Sequence, residues 1–249
     1  DVGSYPAKQF HADLARVTDG LADDDLVRVL VREAAPTMHW LRGKGIRWVL
    51  MYGRQANRIG NNLVFYGGLI LEAVGGGKGL SDQQFQAVEH AGIEVRYETK
   101  MTGLLVEEGC VIGVKVQTRE GETKVLADAI VLAAGGFEAN AEMRARYLGP
   151  NWDLAKVRGS RFNTGDAIRY ALDAGAQPYG HWSGAHAVAW DLNAPQVGNR
   201  SITDLYQKHS YPYGVMVNIQ GERFVDEGAA LRNYTYAKYG RAILEQPLR

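Results

Sequence analysis

The chain has 249 residues, 46% hydrophobic and 22% charged, with 28 basic and 28 acidic side chains and a formal net charge of zero. That length buries a core for one large domain or two ordinary ones, and the even, scattered charge gives no footprint for nucleic acid or an acidic membrane surface. The single cysteine, Cys110, excludes an internal disulfide and an all-cysteine metal cage, and fits a reducing, cytoplasmic setting.

No stretch is apolar over the roughly 18 residues that a membrane helix needs. The first ten residues, DVGSYPAKQF, carry no initiator methionine and no signal-peptide pattern, so the start reads as a cut boundary. In chain order, residues 19–44 predict a helix. Leu26, Val29, Leu30, Met38 and Leu41 recur near helical spacing, Asp23 to Asp25 suit the first turn, and Gly43 and Gly45 end it. Residues 48–79 are glycine-rich and irregular around an apolar run at 69–74. Ser81 reads as the N-cap of a helix over 82–91 that Gly92 closes. Residues 93–97 predict a strand. Residues 101–107 and 110–118 predict a hairpin about Glu108 and Gly109, and 123–127 a further short strand.

Residues 129–134 are continuously apolar, the pattern of a strand buried on both faces in a parallel sheet. Helices are expected over 140–148 and 164–175, and an aromatic, polar loop over 179–204. A hairpin is expected from 215–219 and 223–225, joined by Gln220, Gly221 and Glu222, and a last helix over 232–245. Glycine is abundant, thirty residues against a usual share of roughly 7%, and clusters at Gly67 and Gly68, at 75–79, at Gly135 and Gly136, and at 159–165.

Three constellations can carry chemistry. The apolar run ends in Ala133, Ala134, Gly135 and Gly136, where backbone can approach a flat or charged ligand at the carboxyl end of a strand; the plain alternative is a strand-to-helix turn. Asn163, Thr164, Gly165 and Asp166 precede a helix whose N-terminal N–H groups suit phosphate or ring oxygens, or else Thr164 or Asp166 merely caps it. His186 and Arg232, with Arg223 and Glu227 nearby in sequence, offer the donors and forks that carboxylates need, although such a pair alone is more often structural. Metal is not expected: His181 and His186 have no carboxylate cluster with them, and no Walker, GxSxG or HExxH motif occurs. The tract GGGKG at 75–79 reads as a loop beside a ligand or as a plain flexible loop.

The stretches ADAIVLAAGGFEANAEM (127–143), RFNTGDAIRYALDAGA (161–176) and GVMVNIQGERFVDEGAALRNYTYAKYGRAIL (214–244), in this order, resemble the FAD-dependent fumarate reductase and succinate dehydrogenase flavoprotein family, within it the tricarballylate dehydrogenase branch. The resemblance implies an α/β fold, α+β overall, with an incomplete Rossmann-like FAD-binding domain over 1–180 and the start of an α+β capping domain over 181–249. It implies FAD contacts at Ala133, Ala134, Gly135, Gly136, Thr164, Gly165 and Asp166, with backbone near Met101 by the adenine. It further implies a substrate-binding role for His186 and proton exchange at the substrate carbon for Arg232. Arginine is an unusual acid, because a guanidinium holds its proton tightly in water. Arg223 and Glu227 would hold the hairpin and the cofactor edge. The implied enzyme is a flavin dehydrogenase or reductase acting on a small carboxylate, with an electron-transfer partner protein.

Three departures limit the resemblance. The family opens on a GxGxxG fingerprint that does not occur here, and ends on a return to the FAD domain that the chain, stopping at Arg249, does not reach. It therefore reads as an internal fragment, expected to hold FAD weakly or not at all. Residues 204–213, DLYQKHSYPY, offer Lys208, His209 and tyrosines where fumarate reductases place a glutamate and an arginine. Two rivals follow: a 3-ketosteroid dehydrogenase of the same superfamily, using Tyr211, Tyr213 or Tyr234, and a non-catalytic module without cofactor.

Overall fold

A computed structural model describes residues 3–65 and 70–248. Gly67 and Gly68, and the start of the apolar run at Leu69, lie outside the described residues. The chain divides into two compact units, Asp1–Val95 and Arg96–Arg249, so the expected domain boundary near 180 falls within the second unit.

The first unit opens on α1 (Ala7–Val17), a helix that the sequence reading passed over, and α2 (Asp24–Gly43). Asp23 caps α2 by accepting from the backbone N–H of Asp25 and Leu26, each at 3.0 Å, and Asp24 and Asp25 set negative charge at the positive end of the helix. Asp24 also meets His11 of α1 at 2.6 Å. Then come β1 (Trp48–Leu50), a single turn α3 (Tyr52–Gln55), β2 (Ala56–Ile59), β3 (Asn62–Phe65) and β4 (Leu71–Ala73). β1 pairs antiparallel with β4, and β2 with β3.

α4 runs Gly76–His90, so Ser81 lies inside the helix and is not its cap. The GGGKG tract is no loop but the first turn. Gln83 makes this glycine-rich start viable: its amide donates to the carbonyls of Val74 (3.1 Å) and Gly79 (2.9 Å) and accepts from Arg47 N–H (2.8 Å). Gly92 closes the helix at φ 67°, as the sequence predicts.

The second unit contains the antiparallel meander β5 (Lys100–Glu107), β6 (Cys110–Thr118) and β7 (Gly121–Leu126). Its first turn places Glu108 and Gly109 at φ 50° and 79°, the backbone of a two-residue hairpin connection. α5 (Ala141–Leu148) follows, capped by Asn140, whose side chain accepts from Met143 N–H at 3.1 Å. α6 (Asp166–Asp173) and α7 (Arg232–Leu244) complete the helices, with single 3-10 turns at Trp152–Leu154 and Tyr211–Tyr213.

Three expected elements differ. Residues 93–97 form no strand. Residues 129–134 form no strand among the described residues and are mostly exposed, Val131 at 89%. The ladder ends at Ala127, whose N–H reaches Ile112 O; beyond it the apolar run has a sheet-forming composition and no described strand beside it. The hairpin at 215–225 shrinks to one bridge, Val217 to Arg223. Two side chains take its ladder groups: Asn218 accepts from Gln220 and Glu222 N–H at 3.0 Å each, and buried Glu227 accepts from Met216 N–H.

Candidate functional site

The glycine turn after residue 134 and the start of α6 are laced together by backbone. Gly165 N–H donates to Gly136 O at 3.0 Å, Ala139 N–H to Asn163 O at 2.9 Å, and the Asn140 amide to Thr164 O at 3.0 Å. Asn163 turns its own amide onto the Glu138 carboxylate and packs against Gly135. Gly165 sits at φ 76°, and a β-carbon there would lie 2.5 Å from Met143 Sδ and 2.9 Å from Phe137 Cβ. Only glycine fits that position, as backbone and as bulk. Gly165 is also the residue before α6, so neither Thr164 nor Asp166 is the N-cap residue; the Thr164 hydroxyl instead donates to Asp166 at 3.0 Å.

Lys100, next to Met101 at the start of β5, approaches the same Asp166 carboxylate at 3.8 Å. Met101 itself is half-buried and paired with Val116. The structure thus brings Met101, Gly135, Gly136, Thr164, Gly165 and Asp166 to one region of the second unit. Ala133 and Ala134 extend from it as exposed, small-residue backbone. Among the described residues, no backbone hydrogen bond engages the N–H or C=O groups from Asp128 to Gly135. A strip of free peptide groups with small side chains, running to a glycine turn and a helix N-terminus, fits a flat, negatively charged dinucleotide such as FAD.

Arg144 locks the far side of this turn. It is 7% exposed, and its guanidinium donates to the carbonyls of Glu138, Trp152 (2.7 Å), Asp153 (2.9 Å) and Ala155 (3.1 Å). Burial pulls this group below the ordinary arginine range, with Asp153 opposing.

Tyr236, which the sequence reading missed, links His186 to α7, the helix that opens on Arg232. Arg232 is the first residue of α7, and Tyr236 lies one turn on, on the same face. The Tyr236 ring meets His186 edge-on, with centroids 5.1 Å apart, and His209 likewise at 5.3 Å. Burial first, and then nearby Arg158, lowers the His186 pKa and favours the neutral imidazole. Arg232 donates to Asn233 at 3.3 Å, and no carboxylate pairs with it among the described residues. Its carbonyl accepts from the Tyr211 hydroxyl at 3.1 Å, and that hydroxyl also lies 2.6 Å from Thr235 Oγ1. Arg223 and Glu227 pair with each other, and Glu227 also accepts from Met216 N–H, which closes the turn at 216–227.

Among the described residues no cluster of His, Cys, Asp or Glu could hold a metal ion, and no helix is long and apolar enough to cross a membrane.

The chain is similar to known proteins in sequence and in fold. The chain is 30% identical over 173 residues to 3-oxosteroid 1-dehydrogenase of Mycobacterium tuberculosis, covering 67% of this chain and 30% of that protein. It is 28% identical over 227 residues to the probable fumarate reductase Ifc3 of Shewanella frigidimarina, covering 90% of this chain and 36% of that protein. Its fold superimposes on the open conformation of a flavocytochrome c3 fumarate reductase with TM-score 0.71 and 24% identity, over 97% of this chain and 40% of that one. The chain therefore spans about a third of the length of the curated relatives it matches. The mixed helix and strand architecture expected from the sequence is that of a flavoenzyme domain. The family model for an FAD binding domain matches residues 5–248, nearly end to end, and the chain belongs to that family.

Proposed function

We propose that this chain is the cofactor- and substrate-facing part of an FAD-dependent oxidoreductase that moves a hydride between flavin and a C–C bond beside a carboxylate. Tricarballylate, succinate and fumarate are the substrates of this class we favour. The observation that supports the reading is the contact of the Tyr236 ring with His186, one helical turn from Arg232 at the start of α7. The probable fumarate reductase among the relatives supports the substrate class.

FAD, when bound, supplies the hydride acceptor or donor. The Gly135–Gly136 turn and the N-terminus of α6 would hold it, with Ala133, Ala134 and the β5 start at Met101 alongside. His186 donates a neutral hydrogen bond to one substrate carboxylate. Arg232, without a carboxylate partner of its own among the described residues, can fork onto a second carboxylate oxygen or exchange the proton at the carbon next to the hydride site. Residues 1–180 would serve the cofactor and residues 181–249 begin the part that closes over substrate. An electron-transfer protein would complete the cycle.

The steroid dehydrogenase relative favours a second reading, oxidation of a 3-ketosteroid. Its tyrosines would have to come from Tyr213 and Tyr234, which are 94% and 64% exposed, because the Tyr211 hydroxyl already bonds Arg232 O and Thr235. A turnover assay of the full-length protein with an artificial acceptor, comparing tricarballylate, succinate and a 3-ketosteroid, separates the two. Oxidation of the steroid alone overturns the carboxylate reading. A protein purified without a visible flavin band and unable to take up added FAD supports the third reading, a module without cofactor.

A further inference from the structure

Tyr236 does more than occupy the α7 face. It stands between two imidazoles, His186 at 5.1 Å and His209 at 5.3 Å, each approached edge to face, at interplanar angles of 61° and 87°. The His209 ring also hydrogen-bonds Gln207, and Tyr236 is carried by its helix. That helix is seated at Gly240, one turn further on. A β-carbon there would overlap Val188 N–H and lie 2.5 Å from the Ala187 carbonyl carbon, backbone atoms of the segment that follows His186. The same helix face therefore grips both the His186 ring and the chain that carries it. Among the described residues no hydrogen bond holds the His186 imidazole, so ring packing is what orients it.

We infer that Tyr236 is a positioning residue, which fixes the His186 imidazole on the side of α7 that carries Arg232. The inference rests on the reading of His186 and Arg232 as substrate groups. An edge-to-face pair contributes up to about 1.5 kcal/mol, a factor of roughly tenfold in an equilibrium constant. The aromatic ring is the active element, since the hydroxyl is not needed for that contact.

The test uses the full-length protein, with Tyr236→Phe and Tyr236→Leu measured two ways. One is the ring-current shift of the His186 imidazole signals, assigned through His186→Gln. The other is KM and kcat with fumarate as the probe. Tyr236→Phe is expected to keep the shift and to leave KM within about threefold; Tyr236→Leu is expected to lose the shift and to raise KM roughly tenfold, with kcat within about threefold. Equal KM values for the Leu variant and the wild type, or a His186 shift that survives in it, overturn the inference. A wild type that neither binds nor reduces fumarate, with the shift intact, counts against the carboxylate reading and not against the ring geometry.

Discussion

Trp182 stacks on Phe137, with ring centroids 6.1 Å apart and planes inclined by 24°. Tyr147 of α5 packs against both rings, at 5.4 Å from Phe137 and 4.9 Å from Trp182. Phe137 follows the glycine turn directly, and Trp182 stands four residues before His186. The aromatic cluster thus pins the loop that leads to His186 against the glycine turn at 135–136. Trp182→Ala is expected to lower stability by roughly 2 kcal/mol, a fall of about 4–8 °C in Tm, and Trp182→Phe to recover most of it. Thermal unfolding checks this; an unchanged Tm in the alanine variant would show that the cluster does not brace the loop.

Gly165 has no room for a side chain in the turn that we propose holds the cofactor. Its φ of 76° and the contacts awaiting a β-carbon at Met143 and Phe137 mean that Gly165→Ala must displace the start of α6 or the turn at 136–137. The expected cost is about 2–3 kcal/mol. Purified Gly165→Ala should carry less flavin than the wild type, read from the ratio of visible to protein absorbance. Full occupancy would place the cofactor elsewhere.

Arg144 serves the same turn from within. Its buried guanidinium satisfies four carbonyls and, among the described residues, hydrogen-bonds no carboxylate, so its role is to supply donors to backbone that would otherwise be stranded. Arg144→Met should destabilise by at least about 2 kcal/mol, since more than one buried acceptor loses its partner. Arg144→Lys should recover only part of that, because an ammonium cannot reach four carbonyls arranged for a planar fork. Chemical denaturation of both variants measures the order, and equal stability of lysine and arginine forms would contradict it.

Glu227 gives a pH dependence with a definite sign. Its carboxyl is held below the usual carboxylate range, first by Met216 N–H and further by Arg223. The folded state thus binds the ionised form better than the unfolded chain does. That advantage is fully present above the unfolded value, roughly pH 4.3, and is lost as pH falls through the lower folded value. Tm measured across the acid range should fall more steeply below about pH 4.3 in the wild type than in Glu227→Gln. Parallel curves would assign the acid limb to other groups.

Some of this was legible in the sequence. The hairpin about Glu108 and Gly109 is announced by alternating runs on either side, and the start of α2 by three aspartates. α4 was placed too late, because glycine reads as loop and only the Gln83 side chain turns 76–79 into helix. The apolar run at 129–134 reveals a demand for sheet neighbours, but composition says nothing of whether they are present. His186 and Arg232 came from the resemblance and not from spacing, since a separation of 46 positions carries no geometric signal. Trp182, Tyr236 and Arg144 were invisible: two are aromatics whose partners are remote in sequence, and the third looks like any surface arginine on a short helix.

The central claim, a flavin enzyme whose Arg232 serves chemistry at a carbon beside a carboxylate, is tested most directly by following flavin reoxidation. The full-length protein would be photoreduced without oxygen and mixed rapidly with fumarate. The account predicts that the visible flavin band returns in the wild type and that Arg232→Lys slows the return by at least about a hundredfold with FAD still bound, as expected for loss of a group acting at the reacting carbon. A flavin that reoxidises equally fast in both proteins would contradict it.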